Sequence, residues 1–384
     1  MTKIAHFADT HLGYRQYGIR EREEDFYDSF NKIIDDMIEK NVDYVIHSGD
    51  LFEIAKPPIK ALFTAQKGFE KLMDNGVKIY VIAGNHDILK QKGSLIPQEL
   101  YKNDNFNILS TKNHSFKLTD DIFLGGIPYL SNQYEDYMKI FLNEILKDSK
   151  KYKFKILMLH GSISKYFNFN PEFNLEVIPE GFDYYALGHL HNRIKEKFKG
   201  GILSYPGSTE IRSSEEIKDY QKQGKGYNLI TINDDINVEY INIPLKREFI
   251  RENIDYVNLD DRLDKLESKI KDLPEKPLVQ LTIKNGNFEK SEVSQKIYQK
   301  LNQYTLRTKI ITDITELTTP PETDSEETVT PVSLIQEYLN EDFGEEISKL
   351  GINLYTELSQ GNLPMSKKIA ENFYEKFFEE DDAS

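Results

Sequence analysis

The chain has no cysteine and no tryptophan, and only eight histidines in 384 residues. Without cysteine there can be no disulfide, no thiolate zinc site and no iron–sulfur cluster. No run of about 18 apolar residues occurs, so no segment reads as a membrane span. The opening MTKIAHFADTHLG lacks the apolar core of a secretory leader. These absences lead us to expect a soluble, cytoplasmic protein. Basic residues are also scarce at one end. From Ile311 onward the chain carries 18 acids against 4 lysines and no arginine. The net charge of −15 therefore belongs almost wholly to the tail, and the body is close to neutral. A neutral body can still carry a basic face, so the overall charge does not exclude a nucleic-acid partner.

What is present reads as several domains, since 384 residues exceed the usual size of one. Residues 1–245 alternate short β-type runs (KIAHFAD, DYVIHSGD, KIYVIAGN, FKILMLHG, YYALGHLH, GILSYPGS) with helical stretches. One stretch puts Phe26, Phe30, Ile33, Ile34, Met37 and Ile38 on a single helical face. Beyond Ser115 the strands follow one another more closely, which suggests packed sheets with helices outside. Residues 250–318 read as a small α/β module of their own. The segment TPPETDSEETVTP, 319–331, reads as an acidic linker, and 332–384 as short amphipathic helices.

Five of the eight histidines stand at strand ends in company with Asp or Asn. Asp9 and His11 follow the first strand, Asp50 the second, and Asn85, His86 and Asp87 the third. His160 ends a fourth, and His189 and His191 end a fifth. Singly, each admits a plain role as a turn residue, cap or strand-edge group. Together they are donors that an open sheet collects along one edge. Carboxylate, amide oxygen and imidazole suit manganese, iron or zinc. On extended chain, residues i and i+2 point the same way, so H-x-H can offer one imidazole to each of two adjacent ions. Two ions need a bridge, and Asp50 is the natural candidate.

The order D-x-H, G-D, G-N-H-D, H-G, G-H-x-H resembles that of the calcineurin-like metallophosphoesterases. The resemblance implies a four-layer α/β/β/α sandwich. HFADTHLGYRQYG, HSGDLFEIAKPP and YPGSTE narrow it to the meiotic-recombination-eleven (SbcD-like) DNA repair nucleases, with archaeal members most similar. On that resemblance, 250–318 is a DNA-binding capping domain. The tail helices are a docking segment for a Rad-fifty/SbcC-type ABC ATPase. The helix in KPPIKALFTAQKGFEKLM and the segment SLIPQELYKN make a homodimer interface. The implied activity is Mn²⁺-dependent 3′ to 5′ exonuclease action on duplex DNA and endonuclease action on single strands at double-strand breaks. Two Mn²⁺ ions per subunit are implied, one on Asp9, His11, Asp50 and His191, the other on Asp50, Asn85, His160 and His189. His86 is the implied proton donor to the leaving oxygen, with Asp87 its orienting partner. The protein would be nucleoid-associated. The alternatives are a phosphoesterase for non-DNA esters and a DNA-end scaffold for the ATPase.

One position departs from the family pattern: Glu53 stands where many members have a histidine that contacts phosphate. A carboxylate there repels phosphate unless it is protonated, paired or turned away. Tyr14, Arg15, Gln16 and Tyr17 are candidate DNA contacts. Arg193, Lys195, Lys197 and Lys199 form either a phosphate track or a solvated face.

Overall fold

Five strands along the chain are apolar almost without interruption, as expected of parallel strands covered on both faces. They are β1 (Thr2–Phe7), β2 (Tyr44–Ser48), β3 (Lys78–Ile82), β7 (Phe154–His160) and β8 (Tyr184–Gly188). In the computed structural model they form the centres of two six-stranded sheets. The model describes residues 1–89, 91, 93–166, 172–313, 345–359 and 363–378. The linker expected at 319–331 lies outside the described residues, as does the start of the tail segment.

The first sheet runs β12-β11-β1-β2-β3-β4. It adds β4 (Phe106–Ile108), β11 (Gly226–Ile232) and β12 (Ile236–Asn242), with β11 antiparallel to β1. The second runs β5-β6-β7-β8-β10-β9. It adds β5 (Ser115–Lys117), β6 (Ile122–Gly126), β9 (Ile194–Phe198) and β10 (Gly201–Tyr205). Ile4, Ile46 and Ile82 of one sheet meet Leu124, Ile156, Met158 and Tyr184 of the other in a shared core. Helices α1 (Arg20–Glu39) and α2 (Ile59–Asp74) cover the outer face of the first sheet through Phe30, Ile33, Met37, Ala65 and Phe69. Helix α3 (Glu135–Ser149) covers the second through Met138, Leu142 and Ile145. The result is the expected α/β/β/α sandwich. Full burial of a side chain such as Phe30 contributes about 1.5–3 kcal/mol.

The inter-sheet core also holds a polar network. His6 Nδ1 lies 2.7 Å from Tyr184 Oη, and His6 Nε2 2.9 Å from Ser48 Oγ. Asn228 Nδ2 donates to Tyr184 Oη at 3.0 Å and to Ser204 Oγ at 2.9 Å. His6 is thus a core histidine, which accounts for its absence from the strand-end set.

The small module is a three-stranded parallel sheet of β13 (Phe249–Asp255), β14 (Leu278–Lys284) and β15 (Arg307–Asp313). Helices α5 (Leu259–Ile270) and α6 (Lys290–Leu301) pack on it through Leu263, Leu266, Val293 and Ile297. It follows the short α4 (Ile217–Gln223) and the strand pair β11–β12. The module belongs to one compact unit with the sandwich, Met1–Thr315. Buried charges join them. Asp25 of α1 accepts from Arg22 Nη1 at 2.6 Å and from Arg247 Nε at 2.8 Å. Arg22 lies over the ring of Phe249, 4.8 Å from its centroid. In the second unit, α7 (Glu345–Ser359) and α8 (Leu363–Phe378) lie against each other. The segment SLIPQELYKN forms only a short 3-10 helix, Pro97–Tyr101.

Candidate metal centre

Parallel strands carry their C-terminal ends to one edge of a sheet, and two such edges meet here. The loops after β1, β2 and β3 face the ends of β7 and β8 across the sandwich. Asp9, His11 and His191 form one group, and Asp50, His160 and His189 another, with donor atoms within 4.8 Å of one another in each. Asn85 joins the second group. Its Oδ1 is 3.0 Å from His160 Nε2 and 3.1 Å from His189 Nδ1. Asp50 Oδ2 stands between the groups, 3.4 Å from His160 Nε2 and 3.9 Å from His11 Nε2.

The hydrogen bonds on the far side of each imidazole decide which nitrogen carries its proton. His160 Nδ1 donates to the Ser48 carbonyl at 2.7 Å, leaving Nε2 as a lone pair. His191 Nδ1 faces Glu216 Oε1 at 3.1 Å, and His11 Nδ1 faces Glu53 Oε2 at 2.9 Å. His191 therefore presents its Nε2, 3.1 Å from His11 Nε2, while the approach of His11 Nδ1 to Glu53 is an ion-pair contact outside hydrogen-bond alignment. In the second group His160, with Nδ1 committed to Ser48, turns Nε2 toward Asn85 Oδ1 and Asp50 Oδ2. Such sets repel unless a cation sits among them, so the residues present fit divalent ions. The mixture of carboxylate, amide oxygen and imidazole fits manganese, iron or zinc.

The electrostatics agree. Burial opposes the charge on Asp50, yet His160 and His11 hold its carboxyl well below the usual range. Burial likewise opposes protonation of His160, but the Asp50 carboxylate beside it pushes it up to about 9, the mark of a place that attracts positive charge. Burial opposes the charge on Glu216 too, and Lys225 and His191 hold it down.

Four of the donors are bent out of extended geometry. Asp9, His11, Asp50 and His189 have φ of 54°, 44°, 54° and 103°. The expectation that D-x-H and H-x-H lie on extended chain is therefore corrected. The left-handed turns still send His189 and His191 to different groups. Close approach of Asp50 is possible because Gly84 has no side chain: a Cβ there would run into Asp50 Oδ1 and its backbone N.

The calcineurin-like phosphoesterase family model matches residues 2–193, a span that takes in all seven donors and His86. The chain is 41% identical over 269 residues to the DNA double-strand break repair protein Mre11 of Methanocaldococcus jannaschii, covering 69% of this chain and 73% of that one. It is 40% identical over 303 residues to the Mre11 of Methanococcus maripaludis, covering 74% and 79%. With the Mre11 of Sulfolobus acidocaldarius it shares 34% over 310 residues, covering 79% and 80%. The chain belongs to the Mre11 family of calcineurin-like phosphoesterases.

As an Mre11-family metallophosphoesterase, the chain departs from sequence expectation around its donors. Asp87 does not orient His86. Its carboxylate is fully buried and accepts from the backbone N–H of Gly84 at 2.9 Å, Phe52 at 3.0 Å and Leu51 at 3.3 Å. Burial and the Asp50 charge push Asp87 up to about 7 against those donors. His86 is held instead through Nδ1, 2.7 Å from the Glu53 carbonyl oxygen. Glu53 is neither solvated nor turned away: Arg212 Nη2 and Nε reach its two oxygens at 2.8 and 3.3 Å. Burial opposes its charge, but His11 and Arg212 bring it down to about 2.

Among the proposed DNA contacts, Gln16 is buried, donating to the Arg212 carbonyl and accepting from Arg22. Arg193 is also buried. It binds the carbonyls of Pro206, Gln223 and Ile241, so it cannot begin a phosphate track. Lys195 and Lys199 end on the carbonyls of Val238 and Ile178. Arg15 pairs with Glu23. Tyr14 packs on Phe26. Tyr17 stays half-exposed, and Arg307 of the small module lies over its ring. Sequence reading missed Glu216, Glu172 and Arg212. Glu172 Oε1 lies 3.5 Å from His189 Nε2. Nothing local marks these three, since each acts on a histidine or acid far away in the chain.

Proposed function

We propose that this chain is a manganese-dependent DNA nuclease that trims double-strand-break ends, exonucleolytic on duplexes and endonucleolytic on single strands. The observation that supports it most is the pair of converging donor groups with His86 beside them. His11 and His86 stack edge to face, with centroids 4.9 Å apart. When bound, two divalent ions would supply Lewis-acid charge to a phosphoryl group and acidify a water. Asp9, His11, Asp50 and His191 would hold one ion, and Asp50, Asn85, His160 and His189 the other. His86 anchors Nδ1 on the Glu53 carbonyl, which leaves Nε2 for the substrate. From there the imidazolium protonates the leaving 3′ oxygen.

Other parts of the chain support the same reading. Ile59, Phe63, Leu95 and Leu100 are exposed apolar side chains on α2 and beside Pro97–Tyr101, where the homodimer interface is proposed. Helices α7 and α8 are the proposed docking segment for an ABC-type ATPase. Among the described residues no helix is long and apolar enough to cross a membrane. The proposed location is the cytoplasm, at the nucleoid.

The test is cleavage of end-labelled duplex DNA with Mn²⁺, beside Asp50→Ala. Degradation by the parent alone supports the reading. No degradation by metal-loaded parent that still hydrolyses a simple phosphomonoester would move the chain to another phosphoesterase class.

A further inference from the structure

The carboxylate of Glu53 sits 2.9 Å from a donor histidine, at a place where an anionic substrate must approach. What neutralises it is Arg212, and that guanidinium is only partly used. Glu53 occupies Nε and Nη2 in a fork, and the side chain rests over the face of Tyr14, 4.9 Å from the ring centroid. Among the described residues Nη1 has no acceptor. The Arg212 side chain is 28% exposed, whereas the other arginines joined to this region, Arg22 and Arg193, are buried and fully engaged. The backbone of Arg212 is tied as firmly as its side chain. Its N–H donates to Glu216 Oε1 at 3.2 Å, as does that of Ser213 at 3.0 Å. Glu216 is the carboxylate that orients His191. One residue thus joins the carboxylate that pairs with His11 and the carboxylate that orients His191.

We propose that Arg212 is a substrate-phosphate contact of this site, and that Glu53 both aims it and positions His11. The inference rests on the phosphodiesterase reading of the previous subsection. With Nε and one Nη2 hydrogen on Glu53, three N–H groups of the guanidinium remain, and those at the Nη1–Nη2 end can meet two phosphate oxygens. It is preorganised, since Glu53 and Tyr14 fix its plane before substrate arrives. Removing it has two consequences: the site loses a cation, and the Glu53 charge is unmasked beside the phosphate. Removing both residues costs the contact but not the repulsion. Glu53 acts through Arg212 and His11 and is a positioning residue.

The experiment uses the full chain loaded with Mn²⁺ and the small diester bis(p-nitrophenyl) phosphate, so that it does not depend on DNA recognition. In Arg212→Gln, KM should rise about tenfold or more, the loss expected for one charged hydrogen-bonded contact, with a smaller change in kcat. Arg212→Lys should fall between parent and Arg212→Gln, because charge survives and the fork does not. Glu53→Gln combined with Arg212→Gln should recover several-fold of the KM lost by Arg212→Gln alone. Mn²⁺ titration followed by electron paramagnetic resonance provides a readout separate from turnover. Glu53→Ala should weaken one of the two sites by about 10–100-fold, as expected for loss of a ligand's outer partner, while Arg212→Gln keeps both ions. An unchanged KM in Arg212→Gln, or a double variant no better than the single, would reduce Arg212 to a strut for Glu53. An unchanged Mn²⁺ isotherm in Glu53→Ala would remove its positioning role. A parent that turns over the diester but spares DNA would count against the nuclease reading and leave the Arg212 result standing.

Discussion

Asp25→Ala should be among the most damaging single substitutions remote from the metal centre. Asp25 has no solvent exposure, and two arginines converge on it. Arg22 donates through Nη1 at 2.6 Å, and Arg247 through Nε at 2.8 Å and Nη2 at 3.2 Å. Glu210, also fully buried, accepts from Arg22 Nη2 at 3.2 Å, so the buried group is two cations against two anions. Deleting Asp25 leaves two buried guanidiniums without their shared carboxylate, with buried Glu210 beside Arg22 and only the partly exposed Glu275, at 3.7 Å, beside Arg247. Loss of one partner from a buried pair costs about 3–5 kcal/mol. Three charged hydrogen bonds at about 1.5–3 kcal/mol each would exceed that. The lower figure applies because Arg22 keeps Gln16 and the Ile211 carbonyl, and Arg247 keeps the Lys276 carbonyl. The assay is urea unfolding by circular dichroism, since the chain has no tryptophan to report by fluorescence. Asp35→Ala is the control, an exposed partner of Lys71 worth about 0.5 kcal/mol or less. A loss under about 1 kcal/mol for Asp25→Ala would show that the arginines find other partners, and would refute a buried charge joint between sandwich and module.

Further outcomes are expected at the site and in the core. His86→Gln should bind Mn²⁺ like the parent and lose about 10²–10⁴-fold in kcat; a variant that also loses metal would contradict the proton-donor role. Gly84→Ala should lose Mn²⁺ while remaining folded by circular dichroism, because the new methyl group displaces Asp50. Chelating Mn²⁺ should lower the melting temperature of the parent and not of Asp50→Ala, since an ion at a hundred times its Kd contributes about 2.7 kcal/mol. Burial and the neighbouring His47 push His6 from 6.5 down to about 3 in the folded state. Its contribution is therefore intact above pH 6.5 and is lost as pH falls toward 3, at about 1.4 kcal/mol per pH unit. Urea midpoints between pH 7.5 and 5 should decline less steeply in His6→Gln.

The sandwich and its donors were legible for one reason. Parallel apolar runs that end in Asp, Asn or His must bring those ends together, and the runs are visible in the chain. Asp87 was misread because its partners are backbone amides, which leave no mark in a sequence. Arg193 and Gln16 were read as surface groups because nothing local tells a buried arginine from an exposed one. Only the carbonyls of Pro206, Gln223 and Ile241, assembled by the fold, make Arg193 an interior residue. Glu53 was correctly singled out as a problem for phosphate. Its solution, Arg212, lies 159 positions away and could not be paired with it by pattern.

The left-handed backbone at Asp9, His11, Asp50 and His189 bears on metal choice. Each such conformation is uphill for a side-chain-bearing residue, so the surrounding strands and loops must enforce it. The backbone of the cage is therefore set by the fold, while the ion holds together donor side chains that repel one another. Competing ions are sorted by how well they suit donors presented from that backbone. Exchange of one divalent ion for another should alter reactivity while the protein frame stays as it was.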